Sequence, residues 1–264
     1  MANRKQTVDE YWAEIYDQIE TQKDDVALLR ELIRDFGLMR ILEPFYGNGR
    51  IFIPLAEDGH EIVGMDRSEA MLESGRAKIR ELPDDARKQI TLRHADVTTE
   101  AWPGGFDLVI LGGNCFYELA TAEEQKGCIR SARASLKPGG HVYLDNNHME
   151  GDLDAAWCKI GEMEVRPEYT CSDGATIVET VEPVWVDRVS RLWRAQRTVE
   201  VRTSEGETMM RKEWVQQKHP PSTTEMRTWL GEHGFEVLEL WGDRKKSPYT
   251  HRSGRAIFWA QLKQ

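Results

Sequence analysis

From Asp24 to Phe36 the apolar residues Val26, Leu29, Ile33 and Phe36 recur at helical spacing, and Gly37 then supplies a stop, so a helix is predicted here. Behind it the period shortens. Compact apolar runs at 39–43, 62–66, 90–95, 106–111 and 141–145 read as strands, with helical stretches between them marked by Leu72, Ile79 and Leu82 and by Ile129, Ala132 and Leu136. Lys137-Pro138-Gly139-Gly140 ends the last of these helices and launches the fifth strand. Strands that alternate with helices pair in parallel, which predicts a doubly wound α/β fold.

Past His148 the rhythm changes. Trp193, Ala195, Val199 and Val201 alternate with polar residues, Ser204-Glu205-Gly206 reads as a turn, and 209–217 reads as a return strand. Pro220-Pro221 breaks this pattern, and Ser222 is placed to cap a helix with Met226, Trp229 and Leu230 on one face. Two closing strands, 235–240 and 256–262, bring the main sheet to seven. The expected division is an N-terminal helical segment at 1–37, an α/β core at 38–148 and 219–264, and a small antiparallel β insertion at 149–218.

A chain of 264 residues buries a sizeable core without covalent staples. Its formal charge of −10 gives no positive field to steer it towards phosphate backbones, so nucleic acid is not expected as a partner. Cys115, Cys128, Cys158 and Cys171 are widely spaced, which argues against a zinc site or a disulfide framework and predicts reduced thiols and no metal. The first ten residues are polar and no apolar run reaches membrane-spanning length, so a soluble, cytoplasmic protein with no membrane partner is expected; a homo-oligomer is compatible with the sequence.

The chemistry gathers behind the first two strands. Glu43-Pro44-Phe45-Tyr46-Gly47-Asn48-Gly49 leaves the first strand and enters a helix, where doubly wound sheets bind ligands, and Asp66 ends the second strand, where a carboxylate accepts ribose hydroxyls. A dinucleotide fingerprint needs a small residue three positions after the second glycine; Phe52 stands there, which disfavours a NAD-dependent dehydrogenase. A phosphate loop would need Gly-Lys-Ser/Thr, and that lysine is missing. Glu43 would repel a pyrophosphate and attract a cationic ligand.

On these residues the sequence resembles the class I S-adenosylmethionine-dependent methyltransferases, whose fold is Rossmann-like. Glu43-x-x-x-Gly47-x-Gly49, Val63-Gly64-Met65-Asp66, His94-Ala95-Asp96, Phe106-Asp107-Leu108-Val109 and Leu136-Lys137-Pro138-Gly139-Gly140 follow that family's motifs in order. The resemblance implies S-adenosyl-L-methionine as cofactor, with Glu43, Gly47 and Gly49 at its methionine portion, Asp66 at the ribose, Met65 and Arg67 at the adenine faces and Asp96 at its amino group. Tyr11, Val97 and Leu111 join this set, and the segment 1–37 would cover the cofactor.

A narrower resemblance is to the glycine and sarcosine N-methyltransferases and related small-molecule enzymes. Leu111-Gly112-Gly113-Asn114-Cys115-Phe116 is similar to their segment after strand four, and Leu144-Asp145-Asn146-Asn147-His148 to their end of strand five, except that their carboxylate-holding arginine corresponds here to Asn147. That departure makes free glycine a poor fit. The implied activity is N-methylation of a small amine or amino-acid-like acceptor. O-methylation with His148 as base, and a regulatory module that binds S-adenosylmethionine without turnover, are the alternatives. Candidate acceptor-side residues are Tyr11, Tyr16, Asn114, Tyr117, Glu118, Asn147 and His148, with Glu118 able to attract a protonated amine and His148 to take a proton. Trp185, Trp193 and Trp214 could wall a cationic acceptor, and Arg244-Lys245-Lys246 reads as a solvated basic run or an anion site.

Overall fold

A computed structural model describes residues 6–147 and 157–263. In chain order its elements are α1 (Val8–Ile19), α2 (Asp24–Ile33), β1 (Arg40–Glu43), α3 (Phe52–Glu57), β2 (Glu61–Asp66), α4 (Glu69–Arg80), α5 (Asp84–Lys88), β3 (Ile90–His94), β4 (Phe106–Leu111), α6 (Ala122–Ser135) and β5 (Leu136–Asn147). There follow β6 (Glu164–Val165), β7 (Tyr169–Thr170), β8 (Thr176–Asp187), β9 (Leu192–Arg202), β10 (Thr208–Lys218), α7 (Thr223–Glu232), β11 (Phe235–Trp241) and β12 (Arg255–Leu262). No helix among the described residues is long and apolar enough to cross a membrane.

The chain forms two units, one of residues 22–152 with 219–264 and one of 1–21 with 153–218. In the first, seven strands lie in the order β11-β12-β5-β4-β1-β2-β3. β1 to β5 are mutually parallel, and β12 runs antiparallel to both of its neighbours. The chain winds outward from β1 through β2 to β3, then restarts at β4 on the other side of β1, which makes the C-terminal ends of β1 and β4 the switch point of the sheet.

Alternation along the strands feeds two apolar layers. Leu42, Val109 and Leu111 face Ile129 and Ala132 of α6 and Met226, Trp229 and Leu230 of α7, while Ile41, Leu108 and Ile110 face Leu29 of α2, Leu55 of α3 and Leu72 of α4. The predicted N-cap at Ser222 forms a full capping box with Glu225. Phe36 departs from its expected place in the core: the helix tightens into a 3-10 turn after Ile33, which rotates Phe36 outward to 51% exposure. β5 begins earlier than expected, at Leu136. The Lys-Pro-Gly-Gly stretch is accommodated by a register shift against β4 between Phe106 and Leu108, with Gly139 at φ +78°.

The second unit is an antiparallel sheet in the order β10-β9-β8-β6, with β7 also pairing β8. Ile177, Val199 and Val201 of its strands pack with Tyr11 and Ile15 of α1. The first 37 residues are therefore not one segment: α1 joins the antiparallel sheet, and α2 joins the α/β core. The apolar stripe of each helix is satisfied by a different layer.

Tyr46 fills a slot that only glycine neighbours leave open. A Cβ on Gly64 of β2 or on Gly75 of α4 would stand 3.0 Å from its ring. Gly64→Ala should therefore destabilise the fold by about 1–3 kcal/mol in urea denaturation, the usual penalty for overpacking. Combined with Tyr46→Ala, which removes the obstructing Cγ and Cδ1, the penalty should fall below the sum of the two single changes. Full additivity would show that the contact carries no strain.

Candidate functional site

Glu43, at the end of β1, pairs in register with Gly64 of β2, and the following loop doubles back over both strand ends. Gly47 and Gly49 adopt φ of +61° and +91°, a region side chains avoid. Gly49 also has no space to spare, since a Cβ there would lie 2.7 Å from Ile53 Cδ1. At the neighbouring strand end, a Cβ on Gly112 would meet Ile51 at 2.8 Å, so the loops after β1 and β4 approach backbone to side chain.

Asp66 locks the loop. Gly47 N–H donates to its Oδ2 at 2.9 Å and Ser68 N–H to its Oδ1 at 2.8 Å. Burial raises its pKa, and these two backbone donors oppose the shift. Each oxygen retains a lone pair, so the carboxylate can still receive a pair of ribose hydroxyls.

Glu43 is buried, and its Oε2 has no hydrogen-bond partner among the described residues. Burial pushes its pKa well above the usual carboxyl range, against the pull of Arg50 and of the Phe52 backbone N–H. An open buried carboxyl oxygen beside a glycine turn fits a ligand that carries positive charge, as the sulfonium and ammonium groups of S-adenosylmethionine do. Phe52 at the start of α3 is fully buried, with its ring 5.0 Å from that of Tyr46, so the helix meets the loop through two aromatic rings where a dinucleotide site needs close backbone packing.

Of the other expected cofactor residues, Asp96 is half-buried with both side-chain bonds, from Thr98 N–H and Thr98 Oγ1, on Oδ1; these bonds lower its pKa and leave Oδ2 for another donor. Arg67 is exposed and Val97 half-buried. Met65 and Leu111 are fully buried within the apolar core, and the Met65 carbonyl accepts from Tyr46 N–H. Tyr11 and Tyr16 lie on α1 in the other unit, where Tyr11 donates its hydroxyl to Asp173 at 2.7 Å.

At the ends of β4 and β5, Asn114 sits at φ +62° and its Oδ1 accepts from Asn147 N–H at 2.6 Å. Tyr117 donates its hydroxyl to the Asn147 carbonyl at 2.5 Å. Glu118 is exposed at the end of the 3-10 turn Cys115–Glu118, and His148 lies outside the described residues. The expected tryptophan wall is largely engaged already: Arg194 covers Trp185, Arg197 covers Trp214, and Trp193 is buried against Trp157.

Sequence reasoning missed the charged network beneath these loops. Arg244 was expected to be solvated, but it is 9% exposed and contacts Asp24, Asp25 and Asp145. Asp25 also receives both terminal nitrogens of Arg50, at 2.8 and 2.6 Å, and Asp145 receives Arg255 Nε at 2.6 Å and the Tyr143 hydroxyl at 3.1 Å. Lys246 is tied to Glu31 at 2.6 Å. One available signal was acidic residues at Asp24 and Asp25 opening an amphipathic helix, which their role at a helix N-terminus explains equally well.

Residues 46–142 match a methyltransferase domain family. The glycine/sarcosine N-methyltransferase of Aphanothece halophytica is 26% identical over 182 residues, 67% of this chain and 63% of that protein. The chain thus spans less than two thirds of the length of the curated relatives it matches first. The methyltransferase CcbJ of Streptomyces caelestis superposes with a TM-score of 0.72 at 19% identity, covering 98% of this chain and all of the other. The sugar N-methyltransferase KedS8 of a Streptoalloteichus species gives 0.71 at 16% identity, covering 100% and 96%. The glycine turn, the acidic end of β2 and the switch point between β1 and β4 lie in or beside the matched residues. Residues 46–142 are thus similar to a methyltransferase domain, and the fold is similar to that of S-adenosylmethionine-dependent methyltransferases.

Because the folded-state pKa of Glu43 lies above its unfolded value, the folded chain holds the extra proton, and stability falls as pH rises from the ordinary carboxyl range towards the folded pKa. Glu43→Gln removes that dependence. Without ligand, the variant should be more stable than the wild type in urea melts at about pH 8, with the gap closing towards about pH 4. A cationic ligand favours the ionised carboxylate, so calorimetric affinity for S-adenosylmethionine should rise with pH in the wild type and respond less in the variant. Equal pH responses would contradict an ionising Glu43.

Proposed function

We propose that this protein transfers the methyl group of S-adenosylmethionine to the nitrogen of a small amine. The observation that carries the reading is the join between the ends of β4 and β5, where Asn114 Oδ1 holds Asn147 N–H and Tyr117 holds the Asn147 carbonyl. In a doubly wound sheet these strand ends flank the bound nucleoside, and here they form a braced polar floor. The N-methyltransferase relative and the sugar N-methyltransferase fold support nitrogen as the atom methylated.

The sulfonium supplies an activated methyl carbon. The chain has to bind the cofactor through Glu43, the Gly47–Gly49 turn, Asp66 and Asp96, hold the amine in line with the carbon–sulfur bond, and exclude water. The amine attacks as its neutral form: a nitrogen–carbon bond forms, the carbon–sulfur bond breaks, and the nitrogen's proton leaves to solvent or to a base. The Tyr117 hydroxyl is committed to a carbonyl, which suits it to bracing. Glu118 is exposed and acidic, the right charge to draw in a protonated amine.

Asp66→Ala should weaken S-adenosylmethionine binding by about 1.5–3 kcal/mol, one to two decades, because it removes charge-assisted bonds to ligand and the anchor of Gly47 together. Calorimetry on the folded variant measures it, and an unchanged affinity would remove Asp66 from the site. Asn114→Ala should instead lower methyl transfer by about 10²-fold through lost orientation, with cofactor affinity nearly intact. Wild-type turnover in that variant would move the acceptor away from these strand ends.

A further inference from the structure

β12 is antiparallel to β5 in a register that pairs Arg255 with Asn147, so its first residue arrives at the edge where β4 and β5 end. Arg255 Nε donates to Asp145 Oδ1 at 2.6 Å, Nη1 to Asn147 Oδ1 at 3.0 Å and Nη2 to Asn114 Oδ1 at 3.4 Å. Both carboxamide oxygens therefore accept from within the fold, which fixes the orientation of both amides. Their –NH2 groups have no partner among the described residues. The edge presents N–H donors, and such an edge calls for an oxygen-bearing ligand.

Charge decides which oxygens suit it. Arg255 is 22% exposed on its side chain, and it is not a spare cation. Asp24, Asp25 and Asp145 face Arg50, Arg244 and Arg255 in one connected network, three carboxylates against three guanidiniums. A substrate carboxylate would gain no unbalanced positive charge and would share Arg255 with the buried Asp145, at a dielectric where like charges repel strongly. Hydroxyl and carbonyl oxygens accept the same donors without that repulsion.

We propose that the acceptor is an amine carrying neutral oxygens, of the amino-polyol class, read by the carboxamides of Asn114 and Asn147, with Arg255 as the positioning residue that holds both. This rests on the reading that the acceptor binds where β4 and β5 end. It assigns selectivity against amino acids to the balanced network as much as to the residue at 147.

The test compares serinol and D-glucosamine with glycine and sarcosine, using the full chain and S-adenosylmethionine, with calorimetric cofactor affinity recorded for every variant. The expected result is a kcat/KM at least about tenfold higher for an amino-polyol than for either amino acid. Asn147→Arg adds an unbalanced cation and should move the ratio of amino acid to amino-polyol by about tenfold or more towards the amino acid; an arginine at 147 with a merely structural effect would lower both rates together. Arg255→Gln should raise KM for the amino-polyol more than it lowers kcat. Preference for glycine or sarcosine in the wild type, or a ratio that Asn147→Arg leaves unchanged, would overturn the assignment while leaving the acceptor site in place. Tight cofactor binding with no transfer to any of the four amines would overturn the underlying reading, and the assignment with it.

Discussion

Asp145 is buried near the end of β5 between two arginines, and the placement of both candidate subsites depends on it. Through Arg244 it connects to Asp24 and Asp25 on α2, through Asp25 to Arg50 in the loop after β1, and through Arg255 to Asn114 and Asn147. Taking these charges out of water is costly, and a buried ion pair adds little net stability over well-packed apolar residues. Removing one partner is another matter, because it strands a charge at a cost of about 3–5 kcal/mol. The network acts as a geometric clamp. Segments far apart in the sequence can meet only where every carboxylate finds its guanidinium.

The clamp also explains why Glu43 stands apart. Arg50 is the nearest cation on that loop, and it is bound to Asp25 through both terminal nitrogens. Glu43 feels its field without a direct bond of the kind Asp25 has, and burial prevails. A network that saturates its own arginines leaves one carboxyl available to a positively charged visitor. The edge formed by β4 and β5 is the mirror case, where engaged carboxamide oxygens leave amide donors available.

Elements governed by near neighbours were legible in the sequence, and those governed by distant ones were not. The five parallel strands, α6 and the Ser222-capped helix follow from local period and capping. So do Glu43, Gly47, Gly49 and Asp66, since a turn and the strand beside it lie within some two dozen residues. β8 escaped because its buried positions run consecutively at Ile177, Val178 and Glu179, which hides the alternation. The split between α1 and α2 escaped because both are short amphipathic helices, and a stripe does not name its partner layer. Arg244 and Arg255 escaped for the plainest reason: their carboxylates lie 99 and 110 residues away along the chain. An arginine opening the mostly apolar strand Arg255–Leu262 was a visible trace, and it has an ordinary reading as a strand end.

The bond from Gly47 N–H to Asp66 holds the cofactor loop in shape with protein groups alone. Loops that order only around their ligand spend binding energy on arrival and slow the encounter. Here the turn is already set by folding, so the entropy of the bound form is largely surrendered before any nucleoside approaches. Such a receptor favours rapid capture. Under the proposed function, the spent nucleoside lacks the sulfonium charge that suits Glu43, and it leaves a loop whose shape folding has already set.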